Sequence, residues 1–129
     1  MIKVVAAVIE KDGRYLLCKR GPGGNCAFLW EFPGGKIEEG EAPNEALIRE
    51  IREELCIEIL PSTVFCEYPY SYPDKDIYFY FIRAQIISGE INPLFHSEIR
   101  WLLPEELDSL DYCPADLSTV EKLKGGRAQ

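Results

Sequence analysis

Apolar positions recur along this chain with two different periods. Residues 2–10 and 14–19 are short β-branched and apolar runs joined by Lys11-Asp12-Gly13, which predicts a hairpin. Gly21 to Gly24 opens a loop, residues 29–32 form another short apolar run, and Pro33-Gly34-Gly35 breaks it. From 42 to 55 the period becomes helical. Leu47, Ile48, Ile51 and Leu55 fall within an arc of about 100° when residues are spaced 100° apart. Glu50, Glu53 and Glu54 occupy the neighbouring arc, with Ala46 on their side. The helix is therefore expected to pack one side into the core and to carry its carboxylates along the seam.

Strand patterns return at 57–59, 64–70 and 77–87, with 71–76 as the turn between the last two, and again at 98–103. Pro104 to Leu107 reads as the first turn of a short helix. A final helix is expected over 115–123, capped at or near Asp116 or Ser118, with 124–129 fraying. Strands on both flanks of one central helix, without repeat or linker, predict a mixed α/β layer fold in one domain over 1–129.

Composition narrows the function classes. The chain has 129 residues, 47% of them hydrophobic, which is enough to bury a core without staples. A formal net charge of −8 argues against nucleic acid as a partner, since such binders carry a basic stripe. A small polyanionic substrate stays open, because a bound cation inverts the local field. No apolar run approaches a membrane span, and residues 1–13 do not read as a signal peptide. The five cysteines lack CxxC spacing and His96 is the sole histidine, so a zinc site is not indicated. Cys18, Cys26, Cys56, Cys66 and Cys113 read as free structural thiols, in keeping with a cytoplasmic protein.

The chemistry concentrates in residues 35–57, GKIEEGEAPNEALIREIREELCI. Glu50, Glu53 and Glu54 stand at i, i+3 and i+4 and share a helix face. Three carboxylates on one face repel one another, so a fold keeps them where solvent, basic neighbours or a divalent cation neutralises them.

Gly35, Glu41, Arg49, Glu50, Ile51, Glu53, Glu54 and Ile57 resemble the Nudix box, G-x5-E-x7-R-E-U-x-E-E-x-G-U with U aliphatic. Six fixed Gly, Glu and Arg positions match, a coincidence of roughly one in ten million at a given start point if each residue type has about 7% usage. Cys56 departs from the pattern, which has glycine there to suit a left-handed helix end, so an altered helix end without loss of the chemistry is expected. Trp30 to Glu38, Tyr72 to Asp76 and Pro114-Ala115-Asp116 are similar to segments of the MutT-like branch.

The resemblance implies an α/β/α sandwich with a central mixed sheet. It implies Mg²⁺-dependent hydrolysis of a nucleoside diphosphate linked to a further group, with Mn²⁺ as an alternative ion. Carried over by position, Glu53 and Glu54 would be the main metal ligands, and the carbonyl of Gly34 would complete the shell. Glu50 would be a further ligand or the acceptor of the water's proton. Arg49, at i−4 from Glu53, would hold a carboxylate in place. Glu41 and Lys36 would support the loop and helix, and Arg20 matches a phosphate-contacting arginine. Many relatives carry a further carboxylate six residues before the late tryptophan; here that position is Phe95, and Glu98 is the nearest acid.

Substrate identity stays open at this level. Arg20, Lys36, Tyr78 and Asp116 are the expected substrate-binding residues, although Tyr78 or Tyr80 serves a core equally well. Ionised Asp116 accepts from the cytosine amino group or from the N1 and N2 edge of guanine, and it equally suits a helix cap. CTP-type nucleotides and oxidised dNTPs such as 8-oxo-dGTP are favoured. Alternatives are ADP-ribose or a dinucleoside polyphosphate, as Pro73 stands sixteen residues after Ile57, and a module that senses nucleotides without turnover. Gly21 to Gly24 lacks the Lys-Ser/Thr ending of a P-loop and reads as a flexible loop. His96 has no paired acid in view and reads as incidental. A monomer or a homodimer is expected.

Overall fold

The computed structural model describes residues 1–127 of the chain. Its sheet begins with the expected hairpin, β1 (Ile2–Lys11) antiparallel to β2 (Arg14–Lys19). Asp12 and Gly13 turn between them at φ of 53° and 78°, the positive values that match a tight turn to strand twist. The remaining strands and α-helices are β3 (Trp30–Glu31), β4 (Gly34–Lys36), α1 (Pro43–Leu55), β5 (Glu58–Tyr72), β6 (Lys75–Ser88), β7 (Glu98–Leu102) and α2 (Leu117–Arg127), and the short helix expected from Pro104 is a 3₁₀ helix, Pro104–Ser109. The strands form one mixed sheet in the order β3-β2-β1-β6-β5, with β4 pairing β1 and β7 pairing β2. β1 and β6 run parallel from Ile2 opposite Ile77 to Ile9 opposite Ala84.

The alternation in β1 explains the layers. Val5, Ala7 and Ile9 join Leu16, Ile82 and the α1 residues Ala46, Leu47, Ile51 and Leu55 in one core. Ala6 and Val8 join Leu17, Phe79, Phe81, Leu107, Val120 and Leu123 in the other. A central strand covered on both faces is apolar at nearly every position, as residues 4–9 are. Leu47, Ile51 and Leu55 are fully buried, and each contributes roughly 2 kcal/mol of apolar burial that ties α1 to the sheet.

Several boundaries differ from expectation. Pro33-Gly34-Gly35 does not simply end a strand: Gly34 and Gly35 pair with Ala6 and Val5 as part of β4. A Cβ on Gly34 would stand 1.9 Å from the Val5 carbonyl oxygen, so only glycine permits this approach. The two strand patterns at 57–59 and 64–70 are one strand, β5. Register shifts on either side of Val64 absorb Pro61 at the sheet edge.

The last helix starts at Leu117 after a 3₁₀ turn, Pro114–Asp116. Asp116 does not serve as a cap by its side chain, because its Oδ2 accepts from Phe32 N at 3.1 Å. The helix continues through Arg127 where fraying was expected, and 128–129 of that tail lie outside the described residues. Among the described residues no helix is long and apolar enough to cross a membrane.

Candidate active site

Helix α1 is fixed at both ends. The carboxylate of Glu45 accepts from Ala42 N at 2.8 Å, and Pro43 occupies the first turn. At the far end Cys56 takes a left-handed conformation, φ 61°, and donates its N–H to Arg52 O at 3.1 Å. The cysteine thus holds the geometry that glycine would adopt without steric cost.

Arg49 organises the polar face of the helix. Its Nε and Nη2 donate to the two Glu41 oxygens at 2.7 and 2.9 Å. Its Nη1 donates to Glu50 at 3.1 Å and to Glu53 at 3.0 Å, and Nη2 also reaches the carbonyl of Lys36 at 3.0 Å. The planar fork thereby joins helix, loop and β4, a geometry that a lysine cannot reproduce. The Arg49 hydrogen bonds hold the Glu41 carboxyl down at about 2, helped by the Glu38 backbone N–H, and Glu41 in turn raises Arg49.

The three helix carboxylates are not equivalent. Glu53 is 57% exposed and is turned toward Arg49. Glu50 lies under β4: a Cβ on Gly35 would fall 2.3 Å from its carboxylate, and burial raises its pKa. Glu54 is the least comfortable. Its Oε1 is buried with no hydrogen-bond partner. Burial, then the charges of Glu50 and Glu31, push it up to about 8, while Arg20 and a hydrogen bond from the Gly34 backbone act in the opposite sense. Among the described residues no three acidic, histidine or cysteine side chains already converge as a closed cation cage. The orphaned oxygen, Gly35 pressed against the Glu50 carboxylate and an all-oxygen donor set nevertheless fit a hard divalent cation.

A cleft is lined by Gly34, Gly35, Lys36, Glu31, Arg20, Asp116, Cys113, Cys26, Tyr72, Phe32 and Phe79. Glu50, Glu53 and Glu54 do not line it themselves; Glu50 and Glu54 lie behind Gly35 and Gly34 at its rim. Asp116 is buried, and desolvation followed by the charge of Glu31 raises its carboxyl well above the usual range. Two thiols line this cleft. Cys26 hydrogen-bonds to Tyr72 at 3.4 Å, and a further bond with Cys113 pulls the Cys26 thiol down to about 6.

Arg20, Lys36 and Asp116 therefore meet at one cleft, whereas Tyr78 does not line it. Tyr78 sits beside Tyr80 and donates to Glu67 at 2.8 Å. Its neighbours Ile77 and Phe79 occupy the cleft face of β6, and a residue between them points the other way. Glu98 hydrogen-bonds to Arg100 at 2.9 Å.

His96 corrects the sequence reading most clearly. It does have an acid partner: its side chain is fully buried and Nε2 lies 2.9 Å from Glu31 Oε2. Glu31 also accepts from Arg20 Nη1 at 3.4 Å, so this carboxylate is a hub that sequence reasoning missed. Its position one residue before the Phe32-Pro33-Gly34-Gly35 turn was the available signal.

The NUDIX domain family model matches residues 1–123. This chain belongs to the Nudix family. As a Nudix hydrolase it is 36% identical over 128 residues to a CTP pyrophosphohydrolase of Escherichia coli K12, covering 99% of this chain and 95% of that protein. It is 33% identical over 124 residues to an 8-oxo-dGTP diphosphatase of Haemophilus influenzae, covering 95% and 91%. The solution structure of the E. coli ORF135 protein superposes with a TM-score of 0.85 at 35% identity, over 99% of this chain and 91% of that one. The fold is also that of a MutT protein from Methanosarcina mazei, with a TM-score of 0.86 at 23% identity and coverage of 99% and 96%. The Nudix hydrolase is thus of the MutT-like kind, with the α/β sandwich fold of that branch and an activity in nucleotide pyrophosphohydrolysis.

Proposed function

We propose that this Nudix hydrolase converts a nucleoside triphosphate to its monophosphate and pyrophosphate with Mg²⁺, or Mn²⁺ in its place. CTP-type nucleotides and oxidised dNTPs such as 8-oxo-dGTP are its substrates. The observation that carries this reading is the single cleft joining the glycines backed by Glu50 and Glu54 to the buried carboxyl of Asp116. The names of the two relatives support the substrate class.

Glu53, Glu54, Glu50 and the Gly34 carbonyl would hold the cation, which supplies charge neutralisation on the phosphates and a more acidic bound water. Arg49 keeps Glu53 oriented and ties α1 to the Lys36 carbonyl. Glu50 is the acceptor of the water's proton, and its burial makes it a better base than an exposed glutamate. Arg20 contacts a phosphate: it lines the cleft, and its Nη1 reaches the Glu31 oxygens only at 3.4 Å, which leaves guanidinium donors for another anion. Lys36 adds positive charge at the rim. Tyr72, Phe32 and Phe79 give the base an apolar wall, and Asp116 reads its edge.

Asp116 suits both base types through its protonation. Ionised, it accepts from the cytosine amino group; neutral, as its burial favours, it donates and accepts as an asparagine does. Product analysis on CTP, 8-oxo-dGTP and ADP-ribose tests the reading. Monophosphate and pyrophosphate from the triphosphates are expected. AMP and ribose 5-phosphate from ADP-ribose, with no product from the triphosphates, would overturn it.

A further inference from the structure

The segment before β7 packs against Glu31 and Arg20, two residues that line the cleft. Backbone bonds anchor it on two sides: Asn92 N donates to Leu55 O and Leu94 N to Glu54 O, both at 2.9 Å, and Ser97 N donates to Lys19 O at 2.9 Å. Held between the end of α1 and the end of β2, it delivers His96 beneath Glu31 and Phe95 beneath Arg20. The His96 side chain is fully buried and its Nδ1 has no partner, a cost that the 2.9 Å bond from Nε2 to Glu31 Oε2 offsets. Phe95 packs edge-on against His96, with centroids 5.0 Å apart at 88°, and the Arg20 guanidinium lies over its ring at 5.4 Å.

The contacts of Arg20 show what this arrangement does. Arg20 Nη1 is 3.4 Å from each Glu31 oxygen, long for a charge-assisted pair, and Arg20 Nε is buried with no partner. The short bond that Glu31 makes is the one to His96. A carboxylate held away from a guanidinium leaves the guanidinium free for another anion. Were the His96 donor lost, Glu31 could close on Arg20 in a bidentate pair and compete with a phosphate.

We propose that His96 and Phe95 are positioning residues that keep Arg20 available to substrate phosphate, His96 by restraining Glu31 and Phe95 by supporting the guanidinium plane. The inference rests on the nucleotide reading above.

Binding of α,β-methylene-CTP by calorimetry, alongside steady-state pyrophosphate release, tests it. H96F should raise both Kd and KM about tenfold while kcat changes by no more than about threefold, because the Arg20 contact is made in ground and transition states alike. H96Q, which keeps a donor near the Nε2 position, should recover most of the affinity. F95L alters a residue 51% exposed, so it should fold normally and still weaken binding. In an E31Q background, H96F should add nothing, since no charge remains to close on Arg20. A role in folding alone would lower the melting temperature without these patterns. A fall in kcat at constant KM, no recovery in H96Q, or a full effect of H96F in the E31Q background would overturn the brace. If the wild type binds the analogue but releases no pyrophosphate from CTP, the functional reading fails and the Kd series still decides the brace. A wild type that binds no nucleotide overturns both.

Discussion

Glu54→Gln should stabilise the metal-free protein while removing its activity. Burial, with Glu50 and Glu31 adding to it, holds the Glu54 carboxyl at about 8 against an ordinary 4.5. A raised carboxyl means that the folded state binds the proton more tightly than the unfolded chain does. Stability is therefore full below pH 4.5 and falls as pH rises toward 8. At pH 7 the unfolded chain has released this proton and the fold retains it, which lowers stability by about 3 kcal/mol. Glutamine carries no proton to lose, and its amide oxygen keeps the Gly34 backbone bond. In EDTA at pH 7 the variant should thus melt about 10 °C above wild type, and near pH 4.5 the two should coincide. Thermal unfolding across this range in EDTA measures it. Added Mg²⁺ should then raise the wild type far more than the variant. A variant no more stable than wild type at pH 7, or one with the same advantage at pH 4.5, would refute the argument.

Glu53 is exposed and already solvated, so Glu53→Gln should change stability by less than about 1 kcal/mol yet lower kcat/KM at least about a hundredfold, as unfolding curves and pyrophosphate release would show. Cys56→Gly relieves a left-handed non-glycine residue and should stabilise the fold by about 1 kcal/mol in urea titrations; a loss of stability would contradict the strain assigned to the helix end. Asp116 gains charge as pH rises, which favours an amino donor, so the ratio of kcat/KM for CTP to that for 8-oxo-dGTP should increase by about tenfold or more across its titration. In Asp116→Asn the ratio should be nearly flat with pH, and a slope unchanged from wild type would exclude Asp116 as the source.

The parts that the sequence announced are local ones. The carboxylates and Arg49 lie within six residues of chain, so helix period alone sets their common face and the Arg49–Glu53 bond. The hairpin is equally local, set by a few adjacent residues, whereas the helix end was misread: an altered end was expected at Cys56, and the chain keeps the left-handed turn at φ 61°. The parts that stayed hidden join distant segments. His96 and Glu31 are 65 residues apart and Asp116 and Phe32 84 apart, and no periodicity encodes such meetings. Tyr78 shows a different limit. Alternation separates the two faces of β6, but which face meets the cleft depends on the helix packed against it. Pro61 hid the continuity of β5, because an edge strand with a bulge tolerates a residue that an interior strand would not.

Pyrophosphate release from CTP and 8-oxo-dGTP, measured with Mg²⁺ and with EDTA on wild type and Glu53→Gln, decides whether the acidic face of α1 is a metal-dependent catalytic site. One pyrophosphate and one monophosphate per nucleotide are expected from the wild type with Mg²⁺, and almost none with EDTA or in the variant. Stepwise release of orthophosphate, turnover insensitive to EDTA, or tight nucleotide binding without hydrolysis would contradict it.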